Sequence, residues 1–448
     1  AAQPVPDGQD ISEVRWGGGE SIADVHQRMR TLVAELRTEF DADDEVALVS
    51  HGDALRVLLA VLEGRGHRDV DWSSFGTGAV HTTTLEDTPI EDPQGDDSLM
   101  ARTVAAVQPA SPDVLAEAQQ RQAQLTKPPG SLGVLEVLGN RLAAMAGHCP
   151  APIPEPAVIG LFAGDHGVCA QGVTPWPQEV TASMLLNIAD GGAAINALAR
   201  QVGATLLVTD VGVATDHPRH PAIRDRVVAR GTRDFTVEPA MTRDEARAAV
   251  EVGIEAAEEA IAGGAGCLLT GEMGIGNTTP ASALIAVFTD RRPALVTGRG
   301  AGADDKMLSH KTQVIERGLK LHKPDAGDPL GVLAAVGGLE HAALAGFILA
   351  GAAHRVPVIL DGVIACSAAC VAVALAPAAR DYLISGHAGA EPGIRAAVQH
   401  LGLHPLVDLG MRLGESSGAA VALPMVQAAA RIMAEMATFA EAGIRAGS

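Results

Sequence analysis

The sequence predicts an α/β protein, a three-layer, doubly wound, mostly parallel sheet of about six strands with a small helical subdomain, preceded by a shorter α/β unit. Three observations carry this prediction. From Ser111 onward, short and nearly all-apolar segments alternate with helical ones, as strands buried on both faces of a parallel sheet do. Hydrophobic residues make up 47% of the chain and Ala and Gly are abundant, a composition suited to tight packing. The 448 residues suffice for two or three domains, at roughly 150 residues each.

The first unit is expected to occupy residues 1–85. Ser21 can cap a helix on which Ile22, Val25, Met29, Leu32, Val33 and Leu36 recur at helical spacing. Val46-Ala47-Leu48-Val49-Ser50 then reads as a short buried strand, and a second apolar helix follows His51-Gly52-Asp53 and runs through Leu59. In residues 86–104 the acids Glu86, Asp87, Glu91, Asp92, Asp96 and Asp97 meet Pro89, Pro93 and Gly95, the composition of a solvated linker.

The main domain is expected to span residues 105–448. Its candidate strands are Ala157 to Ala163, Ala204 to Asp210, Gly266 to Thr270, Val356 to Asp361, Tyr382 to Ser385 and Pro405 to Leu409. Thr242 and Glu245 form a capping box for a helix that Gly263-Gly264 end. The weakly polar run Val363 to Ala379, interrupted by Ser367 and Pro377, reads as a buried helix and not a membrane span.

Ligands of such sheets sit beyond the carboxyl ends of the strands, so the polar residues there carry the functional reading. The richest stretch is Gly271 to Leu284, where Glu272, the glycines 271, 274 and 276, and Asn277-Thr278-Thr279 follow an apolar run. With Thr279 as N-cap and Pro280 at the first helical position, it reads as strand, loop and helix, a place for an anion or simply a chain reversal. Gly298-Arg299-Gly300-Ala301-Gly302 resembles a backbone anion nest, with Lys311 further along as a point charge, but lacks the spacing of a P-loop. Lys127-Pro128-Pro129-Gly130-Ser131-Leu132-Gly133 reads as an ordered loop. Asp165-His166 could orient a catalytic imidazole, yet a short acid and a histidine in a turn more often satisfy loop N–H groups, the reading favoured here. Glu415 stands alone in an apolar, glycine-rich setting, where a desolvated carboxylate becomes a better base or, equally, complements a helix start.

Charge and composition exclude other classes. A formal charge of −21 and 2% aromatic residues argue against nucleic-acid and anionic-membrane surfaces. The five cysteines form no CxxC pair and no zinc pattern, which predicts reduced, mostly buried thiols, no metal site and a cytoplasmic protein. No secretory signal opens the chain, and because it begins with Ala the natural polypeptide is expected to start upstream.

Two family resemblances follow from these motifs. KPPGSLGVLE from Lys127, GDHGV from Gly164, GEMGIGNTTPASA from Gly271, TGRGAG from Thr297, the Asp361-Gly362 pair and LGMRLGE from Leu409 resemble, in order, the nicotinate-nucleotide:dimethylbenzimidazole phosphoribosyltransferases over residues 105–448. The resemblance implies transfer of phosphoribosyl from nicotinate mononucleotide to dimethylbenzimidazole in cobalamin lower-ligand synthesis, without a cofactor, in a homodimer. It implies that Glu415 is the general base and that Glu272 supports it. Gly271, Gly274, Gly276, Asn277, Thr278, Thr279, Gly300, Gly302, Lys311, Asp361 and Gly414 would then contact substrate. Ala388-Gly389 stands where the family usually has Arg-Ser, and Ser416 where it usually has Gly, which bears on substrate detail and not on reaction type.

GGGES from Gly17 and LVSHGDALRVLLA from Leu48 resemble the α-ribazole phosphatase branch of the histidine phosphatases, with Glu20 matching the proton donor and His51 a phosphate-pocket histidine. The Arg-His-Gly motif that carries the family's nucleophile does not occur, so a truncated or degenerate unit is expected. The alternatives to a plain transferase are a bifunctional transferase and phosphatase, or a non-catalytic nucleotide-binding protein.

Overall fold

The structure, a computed structural model, describes Val25, Arg28, Met29, Leu32, Gly52–Leu62 and residues 98–445. The chain divides into two compact units, Ala1–Ser98 and Leu99–Ser448. In the first, the helix Gly52–Leu62 runs one turn beyond the expected Leu59. Met29, Val57, Leu58 and Val61 are buried together, with Val25 and Leu32 packed against them, so three of the predicted apolar positions join a core, while Ile22, Val33 and Leu36 lie outside the described residues. Glu20, His51 and the expected strand Val46 to Ser50 lie outside the described residues.

The second unit holds a six-stranded sheet, β1 (Ala157–Gly164), β2 (Thr205–Gly212), β3 (Ile223–Asp225), β4 (Cys267–Met273), β5 (Val358–Leu360) and β6 (Leu383–Ser385). Every pairing is parallel, in the order β3-β2-β1-β4-β5-β6. The chain starts in the middle, winds outward to β3, then returns to lay β4 on the other side of β1. The loops after β1 and β4 therefore diverge, and a crevice opens between them, the topological switch point at which α/β sheets bind ligands.

Two expectations about strands fail. Ile223–Asp225 was not foreseen, because a three-residue edge strand reading Ile-Arg-Asp has no apolar run to betray it. Pro405 to Leu409 is not a strand. Only an isolated parallel bridge joins Val407 to His387, and Leu409 is exposed, so the segment is a loop tied to the end of β6.

Helices cover the sheet. Leu339–Ala353 is apolar on every face after Glu340 and His341 in its first turn and is buried from Leu339 to Ala352, the mark of a core helix. It packs on β1, β2 and β4 and on the helix Arg243–Ala262. That pair of helices approaches closely because both carry glycine at the crossing. A Cβ on Gly253 would lie 1.7 Å from the Ala343 carbonyl oxygen, and one on Gly346 1.9 Å from that of Val250. Arg243–Ala262 opens with the expected capping box, in which Thr242 and Glu245 each accept the other's backbone N–H, and ends at Gly263.

The helix after β4 runs Thr278–Thr289 with Asn277 as N-cap, so it starts one residue before the expected cap Thr279. Pro280 causes no break there, because the first-turn N–H it lacks would have had no partner in the helix. The run from Val363 ends at Leu375, and Pro377 opens a separate 3₁₀ turn to Tyr382. Leu99–Ala106 is helical although its first residues fell within the expected linker. The acids all precede it, and it packs on Arg243–Ala262 and Leu339–Ala353. The C-terminal helix Ser417–Glu435 is long and apolar enough to cross a membrane by composition. In this fold it packs on β4, β5 and the helices Val134–Ala146 and Ala194–Val202.

Candidate active site

A cavity of about 700 Å³ opens at the carboxyl ends of the central strands. It is lined by residues following β1, β4, β5 and β6 and by the segment 411–415. Two acids stand in it. Glu272, the sixth residue of β4, is 6% exposed and accepts a hydrogen bond from Asn277 Nδ2 at 2.5 Å. Burial, then the neighbouring Asp361 and Glu340 carboxylates, push its pKa up to about 8 against the pull of Asn277. It is therefore mostly protonated at neutral pH.

Glu415 is held differently. It and Ser416 are consecutive left-handed residues, with φ of 57° and 68°, a costly conformation outside glycine that surrounding structure must enforce. Asp361 does so. Its carboxylate accepts the N–H groups of Ser416 (3.2 Å), Gly418 (2.6 Å) and Ala419 (3.1 Å), closing the N-terminus of Ser417–Glu435. Burial raises the Glu415 pKa, the Ile195 N–H lowers it, and Asp361 raises it further, for a net upward shift. Its Oε2 is buried with no hydrogen-bond partner, leaving an acceptor for a ligand. The acids meet at Gly414, where φ is +90° and a Cβ would sit 2.3 Å from Glu272 Oε1, so only glycine lets the segment pass.

The other end of the cavity is built for an anion. Gly274 and Gly276 let the loop after β4 press on the loop after β1, for a Cβ would come 2.4 Å from the Gly164 oxygen at one and 2.4 Å from Cys169 Sγ at the other. Lys311, 1% exposed, donates through Nζ to Thr278 Oγ1 at 2.5 Å and to the Gly298 carbonyl at 3.4 Å. Burial lowers its pKa to about 8 despite the opposing Glu391 charge. An ammonium, glycine loops and a helix start thus converge on one pocket.

Asp165-His166 stands behind this wall and does not line the cavity. His166 Nε2 lies 2.8 Å from Glu340 Oε1, and His341 Nδ1 lies 3.0 Å from the same oxygen, all three side chains being buried. Of the two contacts only that of His166 is a hydrogen bond, since His341 Nδ1 has no hydrogen-bond partner. Although burial opposes ionisation, the two imidazoles hold the Glu340 carboxyl well below its usual range, and Glu340 in turn raises His166. Lys127 pairs with Glu136 at 2.8 Å in an ordered loop outside the cavity.

Of the residues marked in the sequence, Glu272, Gly274, Gly276, Asn277, Thr278, Gly300, Lys311, Gly414 and Glu415 line the cavity. Gly271, Thr279, Gly302 and Asp361 do not. Gly271 lies on β4, where a Cβ would come 3.1 Å from Ser416 Cβ, and Asp361 acts through the backbone it caps. The cavity also draws in Arg299, from the loop read as an anion nest, and Trp176, Met184, His387, Glu391 and Ile394, which the sequence reading did not assign to it. Isolated apolar residues carry no motif, while the buried His387 and the half-buried Glu391 bracket the departure at 388–389 and could have been found there. At Gly389 a Cβ would meet Ile394 Cδ1 at 2.4 Å, so isoleucine occupies the space a serine there would need.

Comparisons with known proteins agree with this geometry. The family described as "Phosphoribosyltransferase" matches residues 107–444, and the histidine phosphatase superfamily (branch 1) matches residues 3–89. The chain is 57% identical to the nicotinate-nucleotide--dimethylbenzimidazole phosphoribosyltransferase of Salinispora tropica over 77% of this chain and 99% of that protein. It is 53% identical to the enzyme of that name from Chloroflexus aggregans, over 78% of this chain and 98% of the relative. A crystal structure of CobT from Thermus thermophilus superposes with a TM-score of 0.72 at 46% identity, covering 75% of this chain and all (100%) of that one.

Proposed function

Because the chain belongs to the nicotinate-nucleotide:dimethylbenzimidazole phosphoribosyltransferase family, we propose that it transfers phosphoribosyl from nicotinate mononucleotide to dimethylbenzimidazole, releasing nicotinate and α-ribazole phosphate for the lower ligand of cobalamin. The observation that carries the mechanism is a pair of buried acids in unlike settings, for Asn277 Nδ2 donates to Glu272 while Glu415 Oε2 is buried with no hydrogen-bond partner, and such pairs divide donor and acceptor roles. Glu272 keeps its proton at neutral pH, and the unpartnered Oε2 of Glu415 is the oxygen placed to accept one.

The benzimidazole nitrogen lone pair attacks C1′ of the ribose, and the C1′–N bond to the pyridinium ring breaks with its electron pair going to nicotinate. The benzimidazole N–H proton passes to the Glu415 carboxylate. Attack opposite to the leaving group inverts the linkage from β to α. Lys311, Gly274, Gly276, Gly300, Asn277 and Thr278 hold the phosphate and ribose, with Gly271, Thr279 and Gly302 shaping the loops behind them. Asp361 positions Glu415. The chain's own groups suffice without a cofactor, since the substrate arrives with its leaving group attached and needs chiefly orientation and one base.

Incubation of the protein with both substrates should release nicotinate, read by chromatography. Glu415→Gln should cost about 10²–10⁴-fold in kcat, the usual worth of a general base, and Glu272→Gln less. A folded protein without turnover overturns the function, and the reverse order of the variants overturns the assignment of the acids.

The domains expected from the sequence are residues 1–85 as a partial histidine phosphatase unit, 86–104 as an acidic linker and 105–448 as the transferase, with the linker cut short at residue 98 because the helix Leu99–Ala106 packs within the second unit. The first unit resembles an enzyme acting on the product of the second, which supports a shared pathway. Glu20 and His51 survive without the Arg-His-Gly motif, so α-ribazole phosphate should yield no inorganic phosphate. All five cysteines are free thiols, in keeping with a cytoplasmic protein, and the resemblance supports a homodimer, which sedimentation would test.

A further inference from the structure

We propose that Glu391 is a positioning residue for the phosphate of the donor, holding the 298–302 loop in place and supplying the counter-charge that the buried Lys311 ammonium otherwise lacks. The proposal rests on the reading that this pocket receives a phosphate. Glu391 is the N-cap residue of the helix Pro392–His400, yet its side chain makes no bond to that helix. It reaches instead across 91 residues of sequence, where Oε1 accepts the Gly300 N–H at 2.8 Å. Its Oε2 is buried and makes no hydrogen bond. The fit is close enough to specify a neighbour, since a Cβ on Gly298 would stand 1.9 Å from that oxygen.

Lys311 arrives on the helix Asp305–His322, and both of its hydrogen-bond partners, Thr278 and the Gly298 carbonyl, are neutral. A buried ammonium with neutral partners sheds its proton unless an anion stands nearby. The groups facing it from the packed elements leave one such anion. Cys169 is a thiol, its pKa pushed up to about 12 by burial. Arg299 is half exposed and paired with Asp305. Glu272 stays protonated near neutrality. The Glu391 carboxylate is the charge that opposes the loss of the proton. Through Gly300 and the Gly298 loop it also fixes the backbone Lys311 touches, so one side chain sets both the shape and the charge of the pocket.

The test compares the full chain with its Glu391→Gln variant, whose amide oxygen can still accept the Gly300 N–H but carries no charge. Steady-state KM for nicotinate mononucleotide is measured from pH 7 to 9. In the unaltered protein KM should rise above about pH 8 as Lys311 loses its proton, and in Glu391→Gln the rise should begin about one pH unit lower. At pH 7.5 this appears as a several-fold higher KM for the donor, with kcat at saturating donor and KM for dimethylbenzimidazole changed far less. In a Lys311→Arg background, charged at every pH used, the same substitution should leave the profile flat.

Superimposed profiles for Glu391→Gln and the unaltered protein would reduce Glu391 to a loop anchor and overturn the proposal. A lower KM in the variant would also overturn it, by showing that the carboxylate obstructs the phosphate. Absence of turnover in the unaltered protein would instead strike the transferase reading itself.

Discussion

Glu272 and Glu415 show how little separates a proton holder from a proton acceptor when both are carboxylates. Glu272 lies on a strand, deep in the sheet and ringed by Asp361, Glu340 and Glu415. Glu415 lies on a strained turn where backbone N–H groups are close at hand. The difference has a thermodynamic signature. The native pKa of Glu272, about 8, lies above the ordinary value of 4.5, so between those pH values the folded protein holds a proton that the unfolded chain releases. Stability must therefore fall as pH rises through that window, by at most roughly 1.4 kcal/mol per pH unit from this group. Glu272→Gln removes that loss. In parallel denaturant titrations its stability relative to the unaltered protein should be greater at pH 8.5 than at pH 5, and a constant difference would refute the assigned protonation state. The sequence marked both acids through their motifs, but not the proton that Glu272 retains, which depends on residues 361 and 340 brought close only by the fold.

Among the elements, the crossing of Arg243–Ala262 with Leu339–Ala353 is the most exacting contact. Gly253 and Gly346 let backbone meet backbone, so an added methyl has no flexible side chain to push aside. Gly346→Ala should destabilise the protein by about 1–3 kcal/mol and lower Tm by a few degrees. Calorimetry of Gly346→Ala, Gly253→Ala and the double variant should show a combined loss smaller than the sum, because one enforced separation of the helices relieves both clashes. Unchanged Tm in either single variant would contradict the packing described. These helices show what a one-dimensional reading captures. The capping box at Thr242 was legible because its chemistry is local, and the central strands because burial on both faces leaves an unbroken apolar run. β3 was hidden, since an edge strand of Ile, Arg and Asp is specified by its neighbour β2 more than by its own residues. Pro405 to Leu409 misled for the converse reason, as its apolar residues serve a loop contact with β6. Trp176 and Met184 reach the cavity from helix and loop positions that no spacing rule connects to it.

At the scale of the whole molecule, the site is composed of segments far apart in sequence. The loop after β1, the turn after β4, Lys311, Glu391 and Glu415 share one cavity wall or stand directly behind it, although some 250 residues separate the first from the last. Parallel order is the cause. Each strand must return to the same edge of the sheet before it can contribute a loop, so the functional groups collect at one end while the chain between them covers the faces. The Asp361 carboxylate that closes the N-terminus of Ser417–Glu435 is the last of these long-range joints, linking β5 to the final helix of the domain. Joints of that separation form late, because the intervening chain must be ordered before they gain anything. On dilution from denaturant, helical circular dichroism should return first and nicotinate release last, with the lag shortened by nothing that stabilises β1 and β4 alone. Simultaneous recovery would show that the final helix docks early. The carboxylate at residue 361 thus gives the refolding experiment a timekeeper, since catalytic competence reports the moment at which the end of β5 has met the helix that carries Glu415 to the site.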